Sequence, residues 1–293
     1  MVLRAFAKIN LDLRVLDRRP DGYHDIRTVL QTIDWCDEIR IEKADGFEFI
    51  VHGGLGAPPD SALAGEDNLV VRAARAFEHL TDAGVSARIE LFKNIPVGAG
   101  LGGGSADAAV TLLGLQRLYD RSLSQQDLFG SLRALGSDAP FFALGGRGAG
   151  IGRGDEVFPL EDGPDYWIVV VSPDVSISTA EAYSWLTVSD RSNNIEGFCA
   201  QFFPGSGGEP PRNDFERAIF RRHPGLAHIK QELLRSGALR AALSGSGAAI
   251  FGTFAGGQEA QKAASALARY GIVKMTKPLP RSEYLGRIFG DGE

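Results

Sequence analysis

A run of glycines carries the strongest chemical signal in this chain. Residues 96–105 read PVGAGLGGGS, with five glycines in ten positions, between a predicted strand and a predicted helix. Glycines let the backbone approach a ligand closely, and a helix N-terminus offers unpaired N–H donors and partial positive charge. The loop therefore predicts an anion site, with phosphate as the usual anion and Ser105 as the helix N-cap. The alternative is a tight strand-to-helix connection, which needs fewer glycines.

The residues after this loop exclude the two common phosphate-binding motifs. Gly98, Gly100 and Gly103 satisfy GxGxxG, but the dinucleotide fingerprint also needs a strand ending in an acidic residue about 20 positions on. Here the predicted helix leads into another helix. A Walker A loop needs lysine after its last glycine, where this chain has Ser105. A nicotinamide-dependent oxidoreductase is therefore a weak alternative.

Two charged residues could do chemistry beside such a loop. Lys8 and Asn10 lie two apart on the polar face of a strand predicted over 5–15, so both side chains point the same way. Asp138 lies in the sequence SDAP, and a carboxylate within hydrogen-bond reach of a hydroxyl can accept its proton. The alternatives are a solvated strand face for Lys8 and an ordinary helix cap for Asp138. We expect Asp12 and Arg14 to form a surface pair.

Composition excludes several classes of protein. The 31 basic and 37 acidic residues give a net charge of −6, which argues against a nucleic-acid partner. Cys36 and Cys199 are far apart, which argues against a disulfide framework or a zinc cluster. The five histidines show no metal-ligand spacing, and no GxSxG elbow occurs. No apolar run reaches the ~18 residues of a membrane span, and charges break up any signal peptide. We expect a cytoplasmic protein with no membrane partner.

Strands and helices alternate along the whole chain, which predicts an α+β or α/β protein. Strands are expected at 5–15, 38–42 and 47–51 (a hairpin), 87–92, 167–171, within 239–254, and at 272–276. Helices are expected from an N-cap at Asp67 to Gly84, and at 105–119, 125–135, 179–186, 213–222, 225–235 and 258–270. The six glycines of 145–154 predict a turn between strands, and 186–212 predicts a mobile surface loop. The segment 161–165 is the predicted domain boundary.

The order of these motifs resembles that of the GHMP kinases. The marks of the family are the loop at 96–105, SDAP at 137–140 and LSGSGAAIF at 243–251. Within the family, AKINL at 7–11, DGYH at 21–24, EDNL at 66–69 and GLGGGS at 100–105 are similar to the branch that phosphorylates 4-diphosphocytidyl-2-C-methyl-D-erythritol. DGYH is the most discriminating, since other branches do not share it. The chain has Gly103 and Gly104 where many members have two serines, one of which helps hold magnesium.

This resemblance implies a fold and a reaction. The fold would be α+β with two domains, a ribosomal S5 domain 2-like domain at 1–163 and a ferredoxin-like domain at 164–293, and the active site would lie between them. The reaction would be ATP-dependent phosphorylation of the 2-hydroxyl of the cytidyl substrate, in the non-mevalonate route to isoprenoid precursors. ATP and nucleotide-borne Mg²⁺ would be required. We expect a monomer or weak homodimer with no metal cluster of its own.

The resemblance also assigns site residues. Asp138 would be the catalytic aspartate and Lys8 the lysine that pairs with it. ATP would be bound by Asn68, Pro96, Val97, Gly98, Ala99, Gly100, Leu101, Gly102, Gly103, Gly104, Ser105 and Ala106. The substrate would be bound by Asn10, Tyr23, His24, Thr179, Tyr183, Gly245, Ser246 and Gly247. Tyr23 and Tyr183 would sandwich the cytosine, and His24 would bond its edge.

Structural alternatives accompany several of these assignments. Tyr23 and His24 could form a packing corner, Tyr183 could be a helix packing residue, Asn68 could be only a helix cap, and 244–247 could be only a hairpin turn. Asp107 could lie near magnesium. The nearest rival function is a homoserine or mevalonate kinase, whose substrates have no base to stack. A non-catalytic nucleotide- or RNA-binding module is the rival of another class, and the acidic balance argues against it.

Overall fold

The computed structural model describes residues 1–54, 63–191, 195–202 and 212–290. A six-stranded sheet is formed first along the chain, in the order β3-β4-β2-β5-β6 with β1 paired to β2. Its strands are β1 (Val2–Arg18), β2 (His24–Lys43), β3 (Glu48–His52), β4 (Ala87–Phe92), β5 (Arg147–Ile151) and β6 (Glu156–Pro159). Its helices are α1 (Leu69–Thr81), α2 (Gly103–Tyr119), α3 (Gln125–Leu135) and α4 (Ala139–Phe142).

A four-stranded antiparallel sheet follows, in the order β10-β7-β9-β8. Its strands are β7 (Trp167–Ser172), β8 (Arg240–Leu243), β9 (Ile250–Phe254) and β10 (Ile272–Thr276). The helices are α5 (Thr179–Ser184), α6 (Ile195–Cys199), α7 (Phe215–Arg222), α8 (Pro224–Arg235), α9 (Gly257–Leu267) and α10 (Arg281–Phe289). Helices separate β7 from β8 and β9 from β10, which is the ferredoxin-like arrangement. The predicted α+β class and the ferredoxin-like second half are confirmed.

The first strand is buried on both faces, so the alternative of a solvated strand face for Lys8 is wrong. Lys8, Asn10, Asp12 and Arg14 are all at most 3% exposed. Alternation along one strand shows only that its faces differ, whereas elements distant in the chain decide what covers each face. Register shifts against β2 occur between Phe6 and Lys8 and between Asn10 and Asp12. Such irregularities re-aim side chains, and here they flank the catalytic candidates.

The predicted hairpin of 38–42 with 47–51 is also wrong. β3 pairs with β4 in parallel, and β4 pairs with β2 in antiparallel fashion, so β4 lies between the two strands. Ile89 and Leu91 of β4 are fully buried. A strand with such an apolar face buries more apolar surface in the centre of a sheet than at its edge, which stabilises the fold. A local turn signal does not indicate that β4 inserts between β2 and β3.

Three other segments differ from expectation. The segment 145–154 contains the whole of strand β5 and is not a turn alone. The described part of 186–212 contains α6 and the short 3₁₀ helices Val188–Asp190 and Ala200–Phe202, while 192–194 and 203–211 lie outside the described residues. Helix α10 has no counterpart in the sequence prediction. It packs through Tyr284 and Ile288 on the hydrophobic core between the six-stranded sheet and its helices. The Tyr284 hydroxyl donates to the Phe142 carbonyl at 2.8 Å.

Helix α2 is the buried helix that positions the glycine loop. It begins after Gly102, whose φ of +72° is in the left-handed region. Ser105 therefore lies in the first turn, and the prediction that Ser105 is the N-cap is wrong. Helix α1 likewise begins one residue later than predicted, because Asn68 is its N-cap rather than Asp67.

Candidate active site

One large cavity, of about 1100 Å³, collects most of the candidate residues from both halves of the chain. The predicted site residues that line it are Lys8, Asn10, Tyr23, His24, Gly98, Gly100, Ser105, Asp138, Thr179, Tyr183, Gly245 and Ser246. The predicted residues absent from this lining are Asn68, Pro96, Val97, Ala99, Leu101, Gly102, Gly103, Gly104, Ala106 and Gly247. Residues distant in sequence are thus gathered around one space.

Lys8 lies where three segments meet. Its Nζ is 3.2 Å from Asp138 Oδ2 and donates to Asn10 Oδ1 at 2.7 Å. A Cβ on Gly245 would lie 3.4 Å from the same Nζ. The lysine side chain is only 3% exposed, whereas that of Asp138 is 34% exposed. Lys8 is therefore held in place by protein groups, and the carboxylate of Asp138 is open to the cavity.

Asp138 is the residue before α4, but its side chain does not act as a helix cap. It has helical backbone angles, and its carboxylate makes no capping hydrogen bond. This excludes the ordinary-cap interpretation of the side chain. The short helix instead aims the carboxylate at Lys8.

A buried polar chain fixes Asn10 beside Lys8. Asn10 Nδ2 donates to Thr28 Oγ1 at 2.8 Å, and that hydroxyl donates to the Asp12 carbonyl at 2.8 Å. The Asp12 side chain pairs with Arg14 at 2.9 Å, and both are fully buried, so the predicted surface pair is wrong. Burial raises the pKa of Asp12 to about 6, against the lowering effect of Arg14. The polar face of β1 is thus an internal network.

The glycine loop passes directly over Lys8. Gly98, Gly100 and Gly102 all have positive φ, between +71° and +76°, which non-glycine residues rarely adopt. The Lys8 N–H donates to the Leu101 carbonyl at 2.9 Å. A Cβ on Gly102 would lie 3.0 Å from Lys8 Cγ. The backbone angle thus favours glycine at all three positions, and the close approach of β1 leaves no room for a Cβ at Gly102.

A second glycine loop meets the first from the other sheet. Residues 244–249 connect the antiparallel strands β8 and β9, so the predicted hairpin turn is present. The Ser244 hydroxyl donates to the Gly100 carbonyl at 2.9 Å, and the Ala249 N–H donates to the Ala99 carbonyl at 3.0 Å. A Cβ on Gly100 would lie 2.1 Å from the Ser244 carbonyl oxygen. The two loops are therefore in direct contact at the cavity.

An aromatic patch forms the far end of the cavity. The rings of His24 and Tyr183 stack with centroids 5.0 Å apart and planes at 11°, and Tyr183 packs edge-on against Phe215. Tyr23 is 55% exposed, with Arg153 over its ring at 5.2 Å. Burial first, then Arg191 and Arg18, lower the pKa of His24. The neutral imidazole, which has one donor and one acceptor nitrogen, is therefore favoured for His24.

Three arginines of this cavity were missed in the sequence. Arg18, Arg153 and Arg191 all line it. Arg191 Nη2 lies 3.3 Å from His24 Nε2, and its buried Nε has no hydrogen-bond partner among the residues that the structure describes. The three come from β1, the β5–β6 turn and the segment after a 3₁₀ helix, and no local pattern links them. Only the fold shows that the end of the cavity near His24 is basic.

Asn68 and Asp107 lie outside the cavity lining. Asn68 Oδ1 accepts from the Val70 N–H and Nδ2 donates to the Leu63 carbonyl, both at 2.8 Å, which supports the helix-cap interpretation. Asp107 is buried and pairs with Lys93 at 2.7 Å. Across the described ranges there is no group of three or more His, Cys, Asp or Glu side chains able to hold a metal ion. None of the helices in these ranges combines the length and the apolar composition of a transmembrane helix.

Comparison with known proteins agrees with this geometry. Residues 68–146 match the family model for the GHMP kinases N terminal domain, and residues 206–273 match that for GHMP kinases C terminal. The chain is 45% identical over 260 residues to a 4-diphosphocytidyl-2-C-methyl-D-erythritol kinase of Solibacter usitatus, covering 86% of this chain and 80% of that protein. It is 38% identical to the kinase of the same name from Geobacter metallireducens, covering 91% and 94%.

Solved structures extend the comparison. A crystal structure of 4-(cytidine 5'-diphospho)-2C-methyl-D-erythritol kinase superposes with a TM-score of 0.81 at 34% identity, covering 95% of this chain and 100% of that one. A homoserine kinase from Cytophaga hutchinsonii superposes with a TM-score of 0.65 at 19% identity, covering 94% of each chain, which shows a shared fold alone. From its motifs, its two sheets and its relatives, the chain belongs to the GHMP kinase family, among the 4-diphosphocytidyl-2-C-methyl-D-erythritol kinases.

Proposed function

We propose that this chain transfers a phosphoryl group from ATP to the 2-hydroxyl of 4-diphosphocytidyl-2-C-methyl-D-erythritol. The observation that carries the proposal is the 3.2 Å contact between Lys8 and the cavity-facing carboxylate of Asp138, at the point where both glycine loops meet. Phosphoryl transfer asks a protein mainly for positioning and charge stabilisation, and this arrangement offers both.

Asp138 acts on the acceptor hydroxyl. The carboxylate takes the hydroxyl proton as the hydroxyl oxygen bonds to phosphorus, and ADP leaves with the electron pair of the broken P–O bond. The Lys8 ammonium lies between Asp138 and Asn10. It orients the carboxylate and offsets negative charge on the transferred group.

The glycine loop fits a triphosphate. Open space lies beside the Cα of Gly98, and Ser105 lines the cavity in the first turn of α2. A helix N-terminus beside a glycine loop favours phosphate. We assign Mg²⁺ to the nucleotide, where it would neutralise phosphate charge. Ser105 is the only residue of the loop with a side-chain oxygen that could face it. Contacts of Asn68 and of the remaining loop residues with ATP stay predictions.

The aromatic and basic end of the cavity fits a cytidine diphosphate. Tyr23, Tyr183 and His24 offer ring faces for the base, and the neutral imidazole offers a hydrogen bond to its edge. Arg18, Arg153 and Arg191 supply positive charge for a diphosphate. A homoserine or mevalonate acceptor would leave these groups without a partner. Thr179 Oγ1 and Ser246 Oγ, 3.2 Å apart, would contact the sugar-alcohol portion, with Gly245 and Gly247.

The test is ADP release. The protein is incubated with Mg-ATP and, in separate reactions, the cytidyl acceptor, homoserine, mevalonate or no acceptor. Release that depends on the cytidyl acceptor is expected, and release no greater than with ATP alone would contradict the proposal. The division at residue 163, a cytoplasmic location, a monomer or weak dimer, and the absence of nucleic-acid or membrane partners stay predictions.

A further inference from the structure

A buried ionic triad lies under the glycine loop and contacts neither half of the catalytic pair. Asp37 comes from β2, Lys93 directly follows β4, and Asp107 lies in the second turn of α2. Lys93 Nζ bonds Asp37 Oδ2 and lies 2.7 Å from Asp107 Oδ2. All three side chains are at most 6% exposed. Three elements are thus joined at one ammonium group.

The triad holds both ends of the loop. On the strand side, Asp37 Oδ1 accepts the N–H groups of Asn94 and Ile95, at 2.5 and 2.8 Å. On the helix side, Asp107 is part of α2, and Lys93 bonds it to Asp37. A Cβ on Gly103 would lie 3.3 Å from Lys93 Nζ and 3.1 Å from Ile95 Cγ2. The two ends of the loop are therefore in contact, with the ammonium directly below.

Stability alone gives no reason for this arrangement. Two carboxyl groups and one ammonium lose their hydration on burial, and apolar residues of similar volume often replace such groups without loss of stability. The Asp107 Oδ1 atom has no hydrogen-bond partner among the described residues. What the charges provide, and apolar contacts do not, is a directional tie between groups on different elements.

We propose that Asp37, Lys93 and Asp107 position the glycine loop by fixing the spacing between its strand end and its helix end, and so set the affinity for the ATP phosphates. The proposal rests on the proposed function in one respect, namely that this loop binds ATP. The triad residues are positioning residues, because none of them lines the cavity. Loss of one of these residues should weaken ATP binding more than it weakens binding of the acceptor.

The electrostatic state of the triad agrees with a site that receives an anion. Burial raises the pKa of Asp107 to about 8, helped by the Asp37 carboxylate and opposed by Lys93. Burial lowers the pKa of Lys93, but the two carboxylates outweigh it and the net direction is upward. The raised pKa of Asp107 favours its protonated form and the raised pKa of Lys93 favours its charged form. The triad therefore places less negative charge beneath the phosphates than two free carboxylates would.

The decisive variant is Asp107→Ala. It cuts the tie to α2, keeps a good helix former, and leaves the neutral Lys93–Asp37 pair, so the protein is expected to fold. Calorimetric titration with Mg-ATP should show a Kd raised about tenfold or more, since small misplacements of binding groups cost this much. The KM for the cytidyl acceptor should stay within about twofold, as expected when only one substrate's binding is perturbed.

Two further variants separate positioning from stability. In Asp107→Asn the amide oxygen still accepts from Lys93, so its ATP Kd should lie much closer to wild type than that of Asp107→Ala. Asp34→Asn, on the same strand, removes a 2.6 Å pair with Arg287 at the surface and is the control for lost ion pairs. Thermal unfolding of all variants gives the stability changes for comparison.

Either of two results would overturn the proposal. One is an ATP Kd in Asp107→Ala equal to that of Asp34→Asn. The other is a parallel rise of ATP and acceptor constants that follows the loss of stability. Because ATP binding is measured without acceptor, a wild-type protein that binds ATP but shows no acceptor-dependent turnover would count against the proposed function and leave this proposal standing.

Discussion

Lys8 Nζ lies 3.2 Å from Asp138 Oδ2, although one residue belongs to the first strand and the other precedes a short helix far along the chain. Lys8 is held by Asn10, by the backbone of the glycine loop and by the packing of Gly102. Asp138 is held by α4 and is the more exposed partner. The pair therefore combines a fixed cation with a carboxylate that can reach a substrate.

Removal of the carboxylate tests the catalytic role of this pair. Asp138→Ala should lower kcat by about 10²–10⁴, the usual contribution of general-base catalysis, while Mg-ATP still binds. Steady-state ADP release and ATP titration measure the two effects. Asp165→Ala, which removes an exposed carboxylate paired with Lys277, is the matched control. Near-wild-type turnover in Asp138→Ala would refute the assigned mechanism.

Loss of the stacked ring tests recognition of the base. Tyr183→Leu should raise the KM for the cytidyl acceptor about tenfold, since base–aromatic stacking contributes ~1–3 kcal/mol, and should leave the KM for ATP unchanged. Trp185→Leu is the control, because Trp185 is two residues away and does not line the cavity. An equal effect in both variants would show that helix packing, rather than stacking on the base, is what Tyr183 provides.

Arg191 provides a test of the basic end of the cavity. Arg191→Met should raise the acceptor KM about tenfold, because a charge-assisted hydrogen bond contributes ~1.5–3 kcal/mol, and should weaken the dependence of that KM on salt. Arg217→Met is the control, since Arg217 is 66% exposed and lies 3.6 Å from Asp190. An unchanged KM and salt dependence would remove Arg191 from the binding site.

The contact between the two glycine loops predicts a strong effect at Gly100. Gly100→Ala places a Cβ 2.1 Å from the Ser244 carbonyl at a φ of +76°, and the left-handed conformation alone costs ~1–2 kcal/mol. We expect a lower melting temperature and a fall in kcat/KM for both substrates. Gly84→Ala, which has open space around it, is the control. Wild-type kcat/KM in Gly100→Ala would show that loop contact is not needed for turnover.

The raised pKa of Asp107 predicts how stability depends on pH. Between the ordinary value of 3.8 and about 8, the folded protein keeps a proton that the unfolded chain releases. The free energy of unfolding should therefore fall as pH rises through this window. Asp12, with a pKa near 6, contributes in the same direction up to about pH 7. Urea unfolding from pH 7 to 8 therefore reports chiefly on Asp107.

Substitution of the carboxyl group checks this assignment. Asp107→Asn should flatten the slope of the unfolding free energy against pH between pH 7 and 8. Asp190→Asn should not, because hydrogen bonds from Arg221 lower the pKa of Asp190, so its contribution to stability is present at neutral pH and disappears only in acid. An unchanged slope in Asp107→Asn would mean that Asp107 is ionised at pH 7.

Much of this protein was readable from local sequence. Three short local motifs mark the family, and the fold class and the family follow from them. They are the glycines of 96–105, the lysine and asparagine two apart in AKINL, and the aspartate in SDAP. Most helices and the second sheet were also predictable, because the apolar period of 3.6 or 2 is a local property of the chain.

Only the tertiary structure decided what covers the polar residues. Asp12 and Arg14 were expected at the surface, and they are buried because elements distant in sequence pack on the polar face of β1. Arg191 reaches His24, and Lys93 joins Asp37 to Asp107, through contacts between elements that no spacing along the chain encodes. Local pattern determines which faces of an element differ, whereas burial, ion pairing and the resulting pKa values depend on long-range packing.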